Sequence, residues 1–86
     1  MIQHTEIWQT KQLIELGFEK PKSEVKAEQS GDCAWYNPAY SIDELIEMLP
    51  NNLVMHREKD KWSVSIGEVS ITKTELIDAL FELLTH

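Results

Sequence analysis

The chain has 86 residues, 42% of them hydrophobic and 27% charged, with 8 Lys+Arg against 15 Asp+Glu and a net charge of −7. That length supports one small core, so residues 1–86 read as a single domain with little room for an enclosed substrate pocket. Apolar residues recur along the whole chain, which excludes a long disordered tail, and no apolar run approaches the ~18–20 residues that cross a bilayer.

Residues 5–17 read as a first helix, with Thr5 as N-cap and Gly17 at the C′ position. Ile7, Ile14 and Phe18 share one face at helical spacing, with Leu13 beside them. Trp8 and Leu16 fall away from that stripe and either pack under a later loop or stand exposed.

Residues 19–40 read as an irregular loop punctuated by Pro21, Ser30-Gly31 and Pro38, with Val25 and Ala27 alternating as in a short edge strand. A featureless loop this long is unusual in a compact domain, so local structure is expected. It ends in aromatic residues, Trp35, Tyr36 and Tyr40.

Residues 42–49 read as a second helix, opened by a Ser41/Glu44 capping box and stopped by Pro50. Ile42, Leu45, Ile46 and Leu49 form its inner stripe, Asp43, Glu44 and Glu47 point outward, and Tyr40 is the staple partner of Leu45.

Residues 52–72 read as a three-stranded antiparallel meander. A type II′ turn at Gly67-Glu68 sets Ile66 opposite Val69, Ser65 opposite Ser70 and Val64 opposite Ile71. A turn at Lys59-Asp60 sets Arg57 opposite Trp62, Met55 opposite Val64 and Leu53 opposite Ile66. Both turns give the same apolar face, with serines on the other.

Residues 73–85 read as the last helix, with a Thr72/Glu75 capping box. Its polar residues Glu75, Asp78, Glu82 and Thr85 occupy one narrow stripe, so the helix is either central to the domain or used against a partner. The fold class is therefore α+β, in the order α-α-β-β-β-α, with helices packed on the meander.

Site chemistry is sparse. His4, His56 and His86 are scattered and Cys33 stands alone, so neither a metal site nor an activated thiol is expected, nor any cofactor. The glycines at 17, 31 and 67 are too far apart for a phosphate-binding loop. The basic residues Arg57, Lys59, Lys61 and Lys73 are interleaved with Glu58 and Asp60, which suits a solvated hairpin tip and disfavours nucleic acid.

Two features point to protein recognition. The second and last helices carry Asp43, Glu44, Glu47, Glu75, Asp78 and Glu82 and no lysine or arginine, an acidic surface for a basic partner or simply a solubilising one. Trp35 and Tyr36 are residue types enriched in interface cores, on a loop, and they equally suit closing a small core.

The segment Gln9-Thr10-Lys11-Gln12-Leu13-Ile14-Glu15-Leu16-Gly17-Phe18 resembles the "QSKKLLELGL" opening of a family of small uncharacterised proteins from gut Bacteroidetes and their phages or mobile elements. Residues 38–50 are similar to that family's "PAWSLxxLLxLLP" centre, with Tyr40 where the family has Trp, and residues 76–83 to its closing "LIDAxxEMx" helix. The resemblance implies a phage-linked or accessory setting and carries no catalytic residue over.

The expectation is a non-enzymatic, small acidic accessory protein of the bacterial cytoplasm, outside the membrane, that binds another protein through Trp35 and Tyr36 or through Asp43, Glu44, Glu47, Asp78 and Glu82. The alternative is a structural protein that forms a homodimer through its C-terminal helix. A small enzyme or ligand carrier is a distant third.

Overall fold

A computed structural model describes residues 2–27 and 35–86. The elements run α1 (Ile7–Glu15), β1 (Glu24–Ala27), β2 (Trp35–Pro38), α2 (Ile42–Met48), β3 (Val54–Glu58), β4 (Lys61–Ile66), β5 (Val69–Lys73) and α3 (Leu76–Thr85). The class is α+β, with helices packed on a three-stranded antiparallel sheet and a separate two-stranded sheet. The order differs from α-α-β-β-β-α because residues 19–40 are not irregular throughout. Val25 lies on a strand as its alternation suggests, and β2 pairs antiparallel with it, Val25 opposite Asn37 and Ala27 opposite Trp35.

α1 ends at Gly17, which has φ +100°. The Gly17 amide donates to the Ile14 carbonyl at 3.1 Å and the Phe18 amide to the Leu13 carbonyl at 3.2 Å, the paired bonds of a Schellman end. The start differs from expectation: Glu6, not Thr5, is the N-cap, and its amide donates to Gln9 Oε1 at 2.9 Å. The reason is tertiary. Residues around His4 pair with those around Ser41, the Thr5 amide donating to the Tyr40 carbonyl at 3.0 Å, so the chain is still extended at Thr5. Thr5 is buried, its Oγ1 accepting from the Tyr40 amide at 3.0 Å and lying 2.7 Å from Thr10 Oγ1.

α2 carries its predicted capping box in full. Ser41 Oγ accepts from the Glu44 amide and Glu44 Oε1 from the Ser41 amide, each at 3.2 Å. The meander has the predicted register, Arg57 opposite Trp62, Met55 opposite Val64, Val64 opposite Ile71 and Ile66 opposite Val69. Gly67 has φ +59° while Glu68 stays negative, as a type II′ turn requires. Leu53 falls outside β3: its amide donates to the Pro50 carbonyl at 3.2 Å, and it packs on the core from a turn.

The buried face is narrower than the register implies. α3 crosses β4 and β5, leaving β3 exposed along its length, Met55 included. The Thr72/Glu75 capping box is absent, because Thr72 continues the β4–β5 ladder opposite Ser63. α3 therefore starts at Leu76 behind Glu75, whose carboxylate accepts from the Ile2 amide at 3.0 Å.

α3 is the centre of the core. Its Leu76, Ile77, Ala79, Leu80, Phe81 and Leu83 are buried in one cluster with Leu13, Tyr40, Leu45, Leu49 and Val64. Of the two uses expected for so apolar a helix, central packing is the one realised, against α2, β4 and β5. No helix among the described residues is long and apolar enough to cross a membrane.

Candidate interaction surface around Trp8

The arc of α1 turned to the core holds Gln9, Thr10 and Leu13, all buried. Ile7, expected on the buried stripe, is 57% exposed, and beside it Trp8 is 56% exposed. The late helix start explains this: the strap of residues 2–5 bonds to the chain at Tyr40–Ile42 and turns the first helical residue outward.

These two side chains form one wall of an open cleft of about 800 Å³. Val25, Pro38 and Ala39 form the facing wall on the β1–β2 hairpin, and Ile2 and His4 on the strap close one end. Gln3, Thr5, Glu6, Lys11 and Asn37 are its other polar lining. Ile2, Ile7, Trp8 and Val25 are four of the large hydrophobic side chains most exposed among the described residues. Gathered around one cleft they make a contiguous apolar patch rather than singly scattered exposed side chains.

Trp8 is held in place despite its exposure. Its indole Nε1 donates to Glu6 Oε2 at 2.6 Å, and its ring lies edge-on to Phe81 with centroids 5.3 Å apart. Next to it, Gln9 Nε2 donates to Asp78 Oδ1 at 2.9 Å, fixing α1 on α3. A preset, half-exposed indole has little rotamer entropy left to lose when a partner covers it.

The hairpin wall is tied down by Glu44. Its Oε2 accepts from the Lys22 amide at 2.8 Å, and the Ala39 amide donates to the Ser23 carbonyl at 3.0 Å. Desolvation pushes the Glu44 carboxyl upward, but bonds from the Ser23 side chain, the Lys22 and Ser41 amides and the Ser41 hydroxyl outweigh it and hold it below the usual range. Tyr40, buried beneath, donates its hydroxyl to the Glu19 carbonyl. Burial and then the Glu44 and Glu19 carboxylates raise its phenol above the ordinary value.

The expected acidic surface is in large part bonded internally. Glu44 serves the hairpin, Asp78 takes Gln9, and Glu82 takes Lys73 Nζ at 2.8 Å, the contact that raises the Lys73 ammonium. Asp43 and Glu47 are exposed on α2. Trp35 and Tyr36 lie on β2 opposite Ala27 and Lys26. Cys33, just before them, lies outside the described residues. His56 sits on β3 with its Nε2 3.6 Å from Glu58, and Arg57 lies over the Trp62 ring at 5.5 Å. Among the described residues no group of three or more His, Cys, Asp or Glu converges as metal ligands.

The Trp8 cleft is the feature the sequence did not locate. Its signal was Trp8 and Leu16 lying off the apolar stripe of α1. What it lacked was the facing hairpin. Compared with models of known families, with curated proteins and with solved structures, the chain finds no match in any of the three.

Proposed function

We propose that this is a non-enzymatic protein-binding protein whose contact surface is the exposed face of α1 and the cleft beside it. The observation that supports this is the gathering of Ile2, Ile7, Trp8 and Val25 around one open cleft, with Trp8 fixed by Glu6 and Phe81. Aromatic anchors of this kind carry a large share of binding energy in protein interfaces. The resemblance to small phage and mobile-element proteins fits an accessory role in the bacterial cytoplasm. The C-terminal helix is a poorer seam, because its apolar side chains already pack inside the chain.

Affinity capture on the tagged chain tests the surface. Proteins retained by the parent chain, an untagged copy of the chain included, are expected to be lost with Ile7→Ala/Trp8→Ala and kept with Asp43→Asn/Glu47→Gln. Loss with the second variant and retention with the first would move the site to the acidic face of α2.

A further inference from the structure

We infer that the occupant of this surface is a second copy of the same chain, docked antiparallel along α1, an inference that rests on the Trp8-centred surface proposed above. Trp8, Gln12 and Leu16 follow one another at i, i+4 and i+8, so they form a single ridge along the helix. All three are exposed, and Leu16 is 57% exposed. The ridge is therefore apolar at both ends and polar in the middle, with Gln12 at its midpoint.

A two-fold axis through Gln12 sets Trp8 of each copy against Leu16 of the other and Gln12 against its own counterpart. One surface then satisfies itself, as an isologous contact must. The charges agree with the same axis. Lys11 and Glu15 flank the ridge on one side, one turn apart, both exposed and neither in an ion pair among the described residues. Antiparallel docking brings Lys11 of one copy near Glu15 of the other, twice. A parallel arrangement would put the Lys11–Glu15 pair of one copy and that of the other on opposite sides of the seam, where they do not meet. In the antiparallel pair Leu16 of the second copy lands at the mouth of the cleft, where Ile7 and Lys11 adjoin Trp8.

The contact is small. α1 spans Ile7–Glu15, a helix of ~14 Å, so the interface falls at or below the ~1,200 Å² low end of specific interfaces and the dimer should be a weak one.

Sedimentation equilibrium of the full chain at neutral pH, across micromolar to millimolar concentration, decides the matter. The parent chain is expected to approach twice its monomer mass within that range. Trp8→Ala is expected to weaken association by tenfold or more, and Leu16→Ala, at the other end of the ridge, in the same direction. Lys11→Glu and Glu15→Lys should each weaken it, whereas Lys11→Glu/Glu15→Lys should recover the parent affinity to within a few-fold. All four positions are exposed, and far-UV circular dichroism confirms that each variant is folded. A parent chain that stays monomeric, or a double reversal no better than the single ones, overturns the second copy as occupant. Monomeric behaviour combined with Trp8-dependent capture of a different protein would leave the surface standing and replace only its occupant. Capture indifferent to Trp8 would remove the surface itself.

Discussion

Trp8 stands edge-on to Phe81, with centroids 5.3 Å apart and planes at 79°, yet it is more than half exposed while Phe81 is buried. The pair joins the open cleft to the centre of the core, and the two rings have unequal weight. Trp8→Ala removes one aromatic edge contact and the indole bond to Glu6, and should lower stability by about 1 kcal/mol. Phe81→Ala opens a cavity in the main cluster and should cost roughly 3–5 kcal/mol. Urea denaturation of both variants checks the difference, and similar losses would mean that Trp8 is a core residue.

Leu13 and Ile7 make the same comparison within α1. Leu13 is fully buried, so Leu13→Ala should cost about 2–5 kcal/mol. Ile7 was expected on the same stripe but is 57% exposed, and Ile7→Ala should change stability by no more than about 0.5 kcal/mol. Thermal unfolding of the two variants gives the answer. A large loss from Ile7→Ala would place that side chain in the core.

What the sequence shows and what it hides divide along one line. Features set by neighbours in the chain are legible: the Ser41/Glu44 box, the glycine end of α1, and the two hairpin turns whose register follows from the alternation of residues 54–71. Features set by distant parts are not. Thr5 looks like a cap but is drawn into pairing with Tyr40, and Thr72 looks like a cap but continues a strand. β2 escapes detection because its partner is β1, across residues whose pattern carries no turn signal strong enough to fix a register. The cleft depends on the first and the last of these three, since it needs the turned-out Ile7 and the hairpin wall.

Lys59 has φ +51°, the left-handed region that favours glycine, at the β3–β4 turn. Lys59→Gly should relieve the local strain and stabilise the hairpin, by about 0.5–1 kcal/mol after the added freedom of the unfolded chain is counted. Gly17, at φ +100°, is the reverse case. A Cβ there meets nothing within 4 Å, so Gly17→Ala carries a purely backbone cost of about 1 kcal/mol or more. Opposite shifts in melting temperature for the two variants are the expected outcome. A destabilising Lys59→Gly would show that the lysine side chain itself supports the turn.

Glu44 links the pH of the medium to the wall of the cleft. Its carboxylate accepts from the Lys22 amide and from Ser41, and those bonds hold the folded-state pKa below the unfolded one. A depressed carboxyl contributes stability that is fully present above the unfolded value, near ~4.3, and lost as pH falls through the folded value. The parent chain should therefore exceed Glu44→Gln in urea midpoint at pH 7, and the gap should narrow steadily as the pH is lowered below 4. The change should be felt first at residues 22–25, because Lys22 and Ser23 lead directly into Val25 on β1. Amide exchange of the β1–β2 hairpin, faster in Glu44→Gln at pH 7 while that of α3 is unchanged, would show the carboxylate acting on the cleft wall alone. A gap between parent and variant that is the same at pH 3 as at pH 7 would mean that the charge on Glu44 contributes nothing to holding that wall.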